Sequence, residues 1–208
     1  MRIAFLLYDD FTALDAVGPY EVLSRIPGAE VVFTAAKPGP VRSDMTLALT
    51  ADATLDEVDS ADVLLVPGGP GTEAQLTDPA VLDWVRRVDA TTTWTTSVCS
   101  GSLILAAAGL LEGRRATSHW GVLDGLTRFG AEPTGTERIV VDGKYATAAG
   151  VSAGIDLALR LTGLIAGDGT AQAIQLLIEY DPQPPYAAGS LAKASPAVVE
   201  GAKRLLTA

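Results

Sequence analysis

Residues 96–111 read TSVCSGSLILAAAGLL. A run of β-formers, Thr93 to Val98, ends at Cys99, and a segment opening on small residues, Ser100 to Leu111, follows it. That order puts the chain's single thiol on a strand-to-helix turn resembling the nucleophile elbow of α/β enzymes, although G-x-S-x-G itself is absent. A side chain on such a turn projects over a helix N-terminus, whose free amides and dipole favour an anion. A free thiol ionises near pH ~8.5, and a helix N-terminus can lower that value well below neutrality, so a thiolate is the expected species. The alternative is a buried cysteine acting as a small hydrophobe.

Outward from the elbow the pattern repeats. Ile3 to Leu7, Val31 to Ala35 and Val63 to Val66 are short aliphatic and β-branched runs of the kind that form buried parallel strands. Helix candidates lie between and after them: Val17 to Ser24, Pro79 to Val88, Ser152 to Ala166 and Thr170 to Tyr180. This alternation predicts an α/β fold, a doubly wound and mostly parallel sheet with helices on both faces and its active site at the carboxyl ends of the strands. VPGGPGTEAQ, from Val66, leaves a strand through a glycine pair, and LEGRRATSHW, from Leu111, turns at Gly113 into another short strand. YDPQPPYAAGS, from Tyr180, reads as an extended arm. A single domain over residues 1–208 is expected, with 181–208 as a C-terminal arm and last helix.

Composition narrows the function. A chain of 208 residues, 48% hydrophobic and 19% charged, is a globular protein with a sizeable core. Its net charge of -10 argues against phosphate-led nucleic-acid binding and against an anionic membrane surface. One cysteine makes no internal disulfide, MRIAFLLYDD has no signal-peptide h-region, and no stretch approaches the ~18 apolar residues of a membrane helix. A cytoplasmic location is expected. One Cys and one His do not make a zinc site, and neither GGPGT nor GSLILAAAG forms the dinucleotide fingerprint, so neither metal nor cofactor is expected.

Several residues have both a chemical and a structural reading. Asp15, shortly before Gly18 and Pro19, is a candidate acid or a simple helix N-cap. Glu21 is expected at the surface, and Asp9 and Asp10 in a solvated loop. Gly68 and Gly69 could present amides to a reacting atom or only make a tight turn. Ser100 could point its amide and hydroxyl into the site or cap the following helix. His119, the only histidine, would complete a Cys-His-acid triad, though a lone histidine is more often structural. Trp84 and Trp94 are expected as core or interface anchors, and Trp120 as a pocket wall.

These motifs together are similar to the DJ-1/PfpI superfamily and, within it, to the isonitrile hydratase group. The matching segments are LDAVGPYEVL, VPGGPGT, SVCSGSLILAAAGLLEGRRATSHW, GVSAGIDLALRLT and IEYDPQPPYAAGS, which run nearly end to end. The resemblance implies a flavodoxin-like three-layer sandwich, usually a homodimer, acting on a small molecule without a cofactor. It makes Cys99 the nucleophile and Asp15 the acid on the first helix. Ser100 stands where those hydratases usually carry Thr. Protease-like members place a histidine there, so peptidase activity is not expected. The apolar helices after Gly150 and the proline-rich arm are the expected interface elements.

The implied reaction is hydration of an isonitrile to an N-substituted formamide through a Cys99 thioimidate, with Asp15 as acid and base in turn. That role requires an aspartate with a raised pKa. Two alternatives share the superfamily: glyoxalase-type chemistry on 2-oxoaldehydes, which pairs the cysteine with a glutamate and a histidine, and a redox sensor in which Cys99 becomes a sulfinate. A fused transcription regulator is disfavoured, because the segment after residue 181 is too short and proline-rich for a helix-turn-helix pair.

Overall fold

The computed structural model describes residues 1–206. In chain order its first half comprises β1 (Arg2–Leu6), α1 (Ala13–Leu23), β2 (Glu30–Ala35), β3 (Gly39–Arg42), β4 (Ala48–Ala51), β5 (Ala53–Thr54), β6 (Val63–Val66), α2 (Thr72–Gln75) and α3 (Pro79–Asp89). β7 (Trp94–Val98), α4 (Gly101–Ala107), β8 (Arg115–Ala116), a 3-10 helix (Leu123–Phe129), β9 (Glu132–Pro133), β10 (Ile139–Asp142), β11 (Tyr145–Ala148), α5 (Ala153–Ala166), α6 (Asp168–Leu177) and α7 (Pro196–Leu206) follow. Met1–Ile178 form one compact unit; the residues from Glu179 form a second, which holds α7.

Among the described residues, seven strands make the main sheet in the order β10-β11-β7-β6-β1-β2-β5. All neighbours pair in parallel except β10 and β11, which form an antiparallel hairpin at one edge. The centre of the sheet is apolar: Ile3 to Leu6 and Val63 to Val66 are buried on both faces, as helix-covered parallel strands must be. Trp84 of α3 is fully buried and donates its indole N–H to the Val58 carbonyl at 2.7 Å, which makes it a core anchor. No helix among the described residues is long and apolar enough to cross a membrane.

β1, β2, β6 and β7 stand within a residue of their sequence-predicted limits, whereas the parallel strands β5 and β11 were not anticipated, and the helices differ more. α4 stops at Ala107 rather than Leu111, because the chain reverses through Gly109 at φ 83°. α6 covers Asp168–Leu177 rather than Thr170 to Tyr180. α1 begins four residues earlier than the sequence pattern predicts, at Ala13, and continues through Pro19. Pro19 removes one backbone donor, but its ring packs against α5: a Cβ on Gly154 would lie 3.0 Å from Pro19 Cγ. A Cβ on Gly18 would likewise lie 3.0 Å from Ile155 Cγ1, so two glycines let α1 and α5 approach closely. The earlier start carries Asp15 into the first turn of α1, where it is fully buried.

Candidate active site

The elbow is built by backbone geometry. Cys99 follows β7 and adopts φ 58°, a left-handed conformation that a non-glycine residue holds only when its surroundings enforce it, at a cost of about 1–3 kcal/mol. Its N–H is shared between the Ala148 and Ala149 carbonyls at 3.1 and 3.3 Å. Its own carbonyl accepts the Ser118 and Ser102 hydroxyls at 2.9 and 3.3 Å. Gly101 is obligatory just after the elbow, because a Cβ there would stand 2.2 Å from the Val66 carbonyl oxygen.

Asp15 reaches the elbow from α1. Its Oδ2 accepts the Gly68 N–H at 2.9 Å, whereas Oδ1 has no hydrogen-bond partner although the residue is fully buried. Asp15 is therefore not the helix cap; Thr12 holds that position. Burial pushes the Asp15 carboxyl up to about 7, against the opposing pull of the Gly68 N–H and the Cys99 side chain. The Asp44 charge adds to the rise.

The thiol departs from the thiolate expected of a helix N-terminus. Burial pushes Cys99 well up from its ordinary value and the Asp15 charge adds to it. The Ser100 amide and hydroxyl pull the other way but are outweighed. α4 is a seven-residue helix and its first turn does not offset the desolvation of a cysteine that is only 6% exposed. The resting pair is thus a protonated thiol beside a carboxyl that titrates near neutrality.

Gly68 and Gly69 do not offer free amides, which corrects the reading of an anion nest. The Gly68 N–H is taken by Asp15 and the Gly69 N–H by Ser100 Oγ at 2.9 Å. Their glycine identity is needed for close approach: a Cβ on Gly68 would lie 2.4 Å from Ser100 N and 2.9 Å from Cys99 Cβ. Ser100 does not cap α4 with its side chain. Its hydroxyl joins the Thr72 hydroxyl at 2.8 Å as well as the Gly69 amide. Thr72 in turn meets the Tyr8 hydroxyl at 3.0 Å, and Tyr8 donates to the Pro67 carbonyl at 2.7 Å. A buried chain of hydroxyls therefore fastens the Pro67–Gly69 turn to the elbow.

The remaining candidates make no hydrogen bond to the pair among the described residues. His119 follows β8 in a loop; its Nδ1 accepts the Gly121 N–H at 3.2 Å and its ring lies close against Gly150. Among the described residues it makes no hydrogen bond or ion pair with Cys99 or Asp15, so no Cys-His-acid triad is assembled. Burial lowers its pKa. Trp120 lies against the His119 ring and lines a cleft of about 230 Å³ with Glu73, Leu103, Leu123 and Arg128. Glu21 is exposed and paired with Arg25 at 2.6 Å, and Asp9 and Asp10 are exposed. No cluster of metal-ligating side chains occurs among the described residues.

Sequence reasoning missed Tyr8, Thr72, Thr12 and Asp44. Tyr8 carried a signal, since a tyrosine ending a buried strand must find a partner for its hydroxyl. Asp44 carried none, because a loop aspartate reaches Thr12, at 2.7 Å, only through the fold.

The sequence profile of the DJ-1/PfpI family matches residues 1–163. The chain is 42% identical over 204 residues to an isonitrile hydratase of Pseudomonas putida, covering 98% of this chain and 89% of that one. It is 32% identical over 182 residues to the HTH-type transcriptional regulator CdhR of Pseudomonas aeruginosa, covering 85% of this chain and 53% of the regulator. A crystal structure of a THiJ/PfpI family protein from Pseudomonas syringae superposes with a TM-score of 0.95 at 41% identity, over 99% of this chain and 86% of that one.

Proposed function

The chain belongs to the DJ-1/PfpI family, and from that premise we propose that it hydrates isonitriles, R–N≡C, to N-substituted formamides. The observation that carries this reading is a fully buried Asp15 whose Oδ1 is taken by no backbone N–H or hydroxyl and whose carboxyl, titrating near neutrality, interacts with the protonated Cys99 thiol. The similarity to the Pseudomonas putida isonitrile hydratase over 98% of the chain supports it.

The terminal carbon of an isonitrile must gain both a nucleophile and a proton. The Cys99 S–H adds across that one carbon: an S–C bond forms, and the thiol proton passes through Asp15 to the same carbon, giving the thioimidate R–N=CH–S. A thiol that keeps its proton until substrate arrives supplies both parts. Water then adds to the carbon. Asp15 accepts a proton from that water and returns one to the nitrogen, the C–S bond breaks, and the sulfur recovers its proton as R–NH–CHO leaves. The sum is one water added to one isonitrile, with neither redox change nor cofactor. A carboxyl titrating near 7 is suited to taking and giving a proton at neutral pH, whereas an ordinary aspartate is a poor acid there.

Ser100, Gly68 and Gly69 serve in this reading by positioning: they hold the turn that anchors one oxygen of Asp15. The Glu-Cys-His set of the glyoxalase alternative gains no support, since Glu21 is exposed and His119 makes no bond to Cys99. The test is formation of N-substituted formamide from an aromatic isonitrile, followed by ultraviolet absorbance. Wild type is expected to turn over, and Cys99→Ala and Asp15→Asn to lose at least about 100-fold, the scale of a general acid-base contribution. Absence of wild-type turnover on several isonitriles would sink the reading.

A further inference from the structure

A second carboxylate stands behind Asp15. Asp44 lies in the turn between β3 and β4, is half-buried, and accepts the Thr12 hydroxyl at 2.7 Å. Its backbone is tied to the same place, since Asp44 N donates to the Phe11 carbonyl at 2.9 Å and Ser43 bridges Phe11. Thr12 is the first-turn hub of α1. Its N–H donates to the Gly68 carbonyl at 2.8 Å, and its carbonyl accepts the Asp15 N–H at 3.0 Å. Gly68 closes the circuit by donating its own N–H to Asp15 Oδ2. The hairpin carrying Asp44, the start of α1 and the Pro67–Gly69 turn are therefore locked together around Asp15.

We propose that Asp44 is a positioning residue of the site: its carboxylate, held by Thr12 at the start of α1, sets a second negative charge behind Asp15 and biases Asp15 toward holding a proton. The inference rests on the isonitrile-hydrating reading for its purpose, but not for its physical basis. Thr12 would be free to cap α1 with its side chain, yet it makes no such cap bond and turns its hydroxyl to Asp44 instead. Among the described residues Asp44 has no ion pair, so no cation cancels its charge. The other titratable groups that act on Asp15 are Cys99 at the elbow and Tyr8 beyond β1. Both are protonated groups held so by burial, and Glu21 of α1 is paired outward with Arg25. Among the described residues, Asp44 is then the charged side chain whose field raises the Asp15 carboxyl. Desolvation already favours the protonated form of the fully buried Asp15, and a negative charge placed behind it acts in the same direction, which leaves Asp15 as the proton carrier.

The test uses the pH dependence of iodoacetamide alkylation at Cys99, which is readable without any substrate because the chain has a single cysteine. Asp44→Asn keeps an acceptor for the Thr12 hydroxyl and removes only the charge. Its alkylation inflection is expected to move to lower pH by about half a unit, the size of a screened charge-charge interaction. Asp44→Glu, which retains the charge, is expected to stay near wild type. Thr12→Val, which releases Asp44, is expected to move the inflection in the same direction as Asp44→Asn by a smaller amount. The pH profile of isonitrile turnover should shift in parallel. Superimposable alkylation profiles for wild type and folded Asp44→Asn would overturn the proposal whether or not isonitriles are substrates. A shifted alkylation profile in a protein that turns over no isonitrile would instead support the role of Asp44 and sink only the hydratase reading.

Discussion

Asp15 and Gly68 are joined by one hydrogen bond of 2.9 Å from the glycine N–H to Oδ2, while Asp15 Oδ1 is buried with no backbone N–H or hydroxyl bonded to it. The acid is anchored through one oxygen and chemically available at the other. A bidentate anchor would have lowered its pKa further and removed its proton-transfer function.

This arrangement costs stability in a pH-dependent way. Asp15 titrates at about 7 in the folded chain and near 3.8 when unfolded. Between those values the folded state binds more protons than the unfolded state, so stability falls as pH rises from about 4 to about 7. Asp15→Asn removes the buried charge and keeps an acceptor for Gly68. Urea denaturation should find the variant more stable than wild type by roughly 1–3 kcal/mol at pH 8, with the difference vanishing near pH ~4. A variant less stable at pH 8 would mean that the carboxylate is well solvated in the folded chain.

Gly68→Ala tests the closeness of the turn to the elbow. The added Cβ would meet Ser100 N at 2.4 Å and Ser100 Oγ at 2.5 Å, and a backbone amide in a packed turn cannot yield that far. A loss of about 3 kcal/mol or more is expected by thermal denaturation, together with loss of turnover. Gly169→Ala is the control: it lies in α6 with open space around its Cβ and no left-handed φ, and should be neutral or stabilising by up to ~1 kcal/mol.

The two residues required by glyoxalase-type chemistry can be removed separately. Glu21 is an exposed residue held to Arg25, and a surface pair of this kind contributes at most ~1 kcal/mol. Glu21→Gln should leave formamide production within about twofold of wild type. His119→Gln should lower turnover by less than about tenfold and remove no limb of the pH-rate profile, because His119 donates nothing to Cys99 or Asp15. Loss of a limb in either variant would place that residue in proton transfer.

How much of this was legible in the sequence differs between backbone and side chains. β6 is a short apolar run and β7 a short run rich in β-branched and aromatic residues, and the glycines and small residues that follow them mark where each strand ends. The mostly parallel sheet follows from the βα alternation, and the β10–β11 hairpin at its edge was legible too, in Ile139 to Val141 followed by the turn pair Asp142-Gly143, but a reading by βα units alone passes over it. The start of α1 was misplaced because Gly18 and Pro19 oppose a helix locally; close packing on Gly154 and Ile155 overrides that preference. Cys99 and Asp15 were visible as residues, but the charge state of Cys99 was not. A helix N-terminus is a local feature, while the desolvation that outweighs it comes from the whole fold. Ser100 was ambiguous for the same reason, since its partners Gly69 and Thr72 come from a different βα unit.

Ser100 gives the most discriminating variant pair at the site. Its hydroxyl receives the Gly69 N–H, meets Thr72 and favours the Cys99 thiolate, so Ser100→Ala leaves a buried amide unpaired and removes a stabilising neighbour of the sulfur. A cost of about 1–3 kcal/mol in stability is expected from the orphaned donor. Loosening the Pro67–Gly69 turn also weakens the Gly68 bond that holds Asp15 down in pKa, so both members of the pair should titrate higher. The pH profile of Cys99 alkylation should therefore move to higher pH, opposite in sign to the shift expected from Asp44→Asn. Ser100→Thr keeps the hydroxyl and introduces the residue usual in the hydratases that the sequence resembles, so it should restore both the profile and the stability. An unshifted profile in a destabilised Ser100→Ala protein would confine the hydroxyl chain to holding the turn and exclude it from tuning the sulfur.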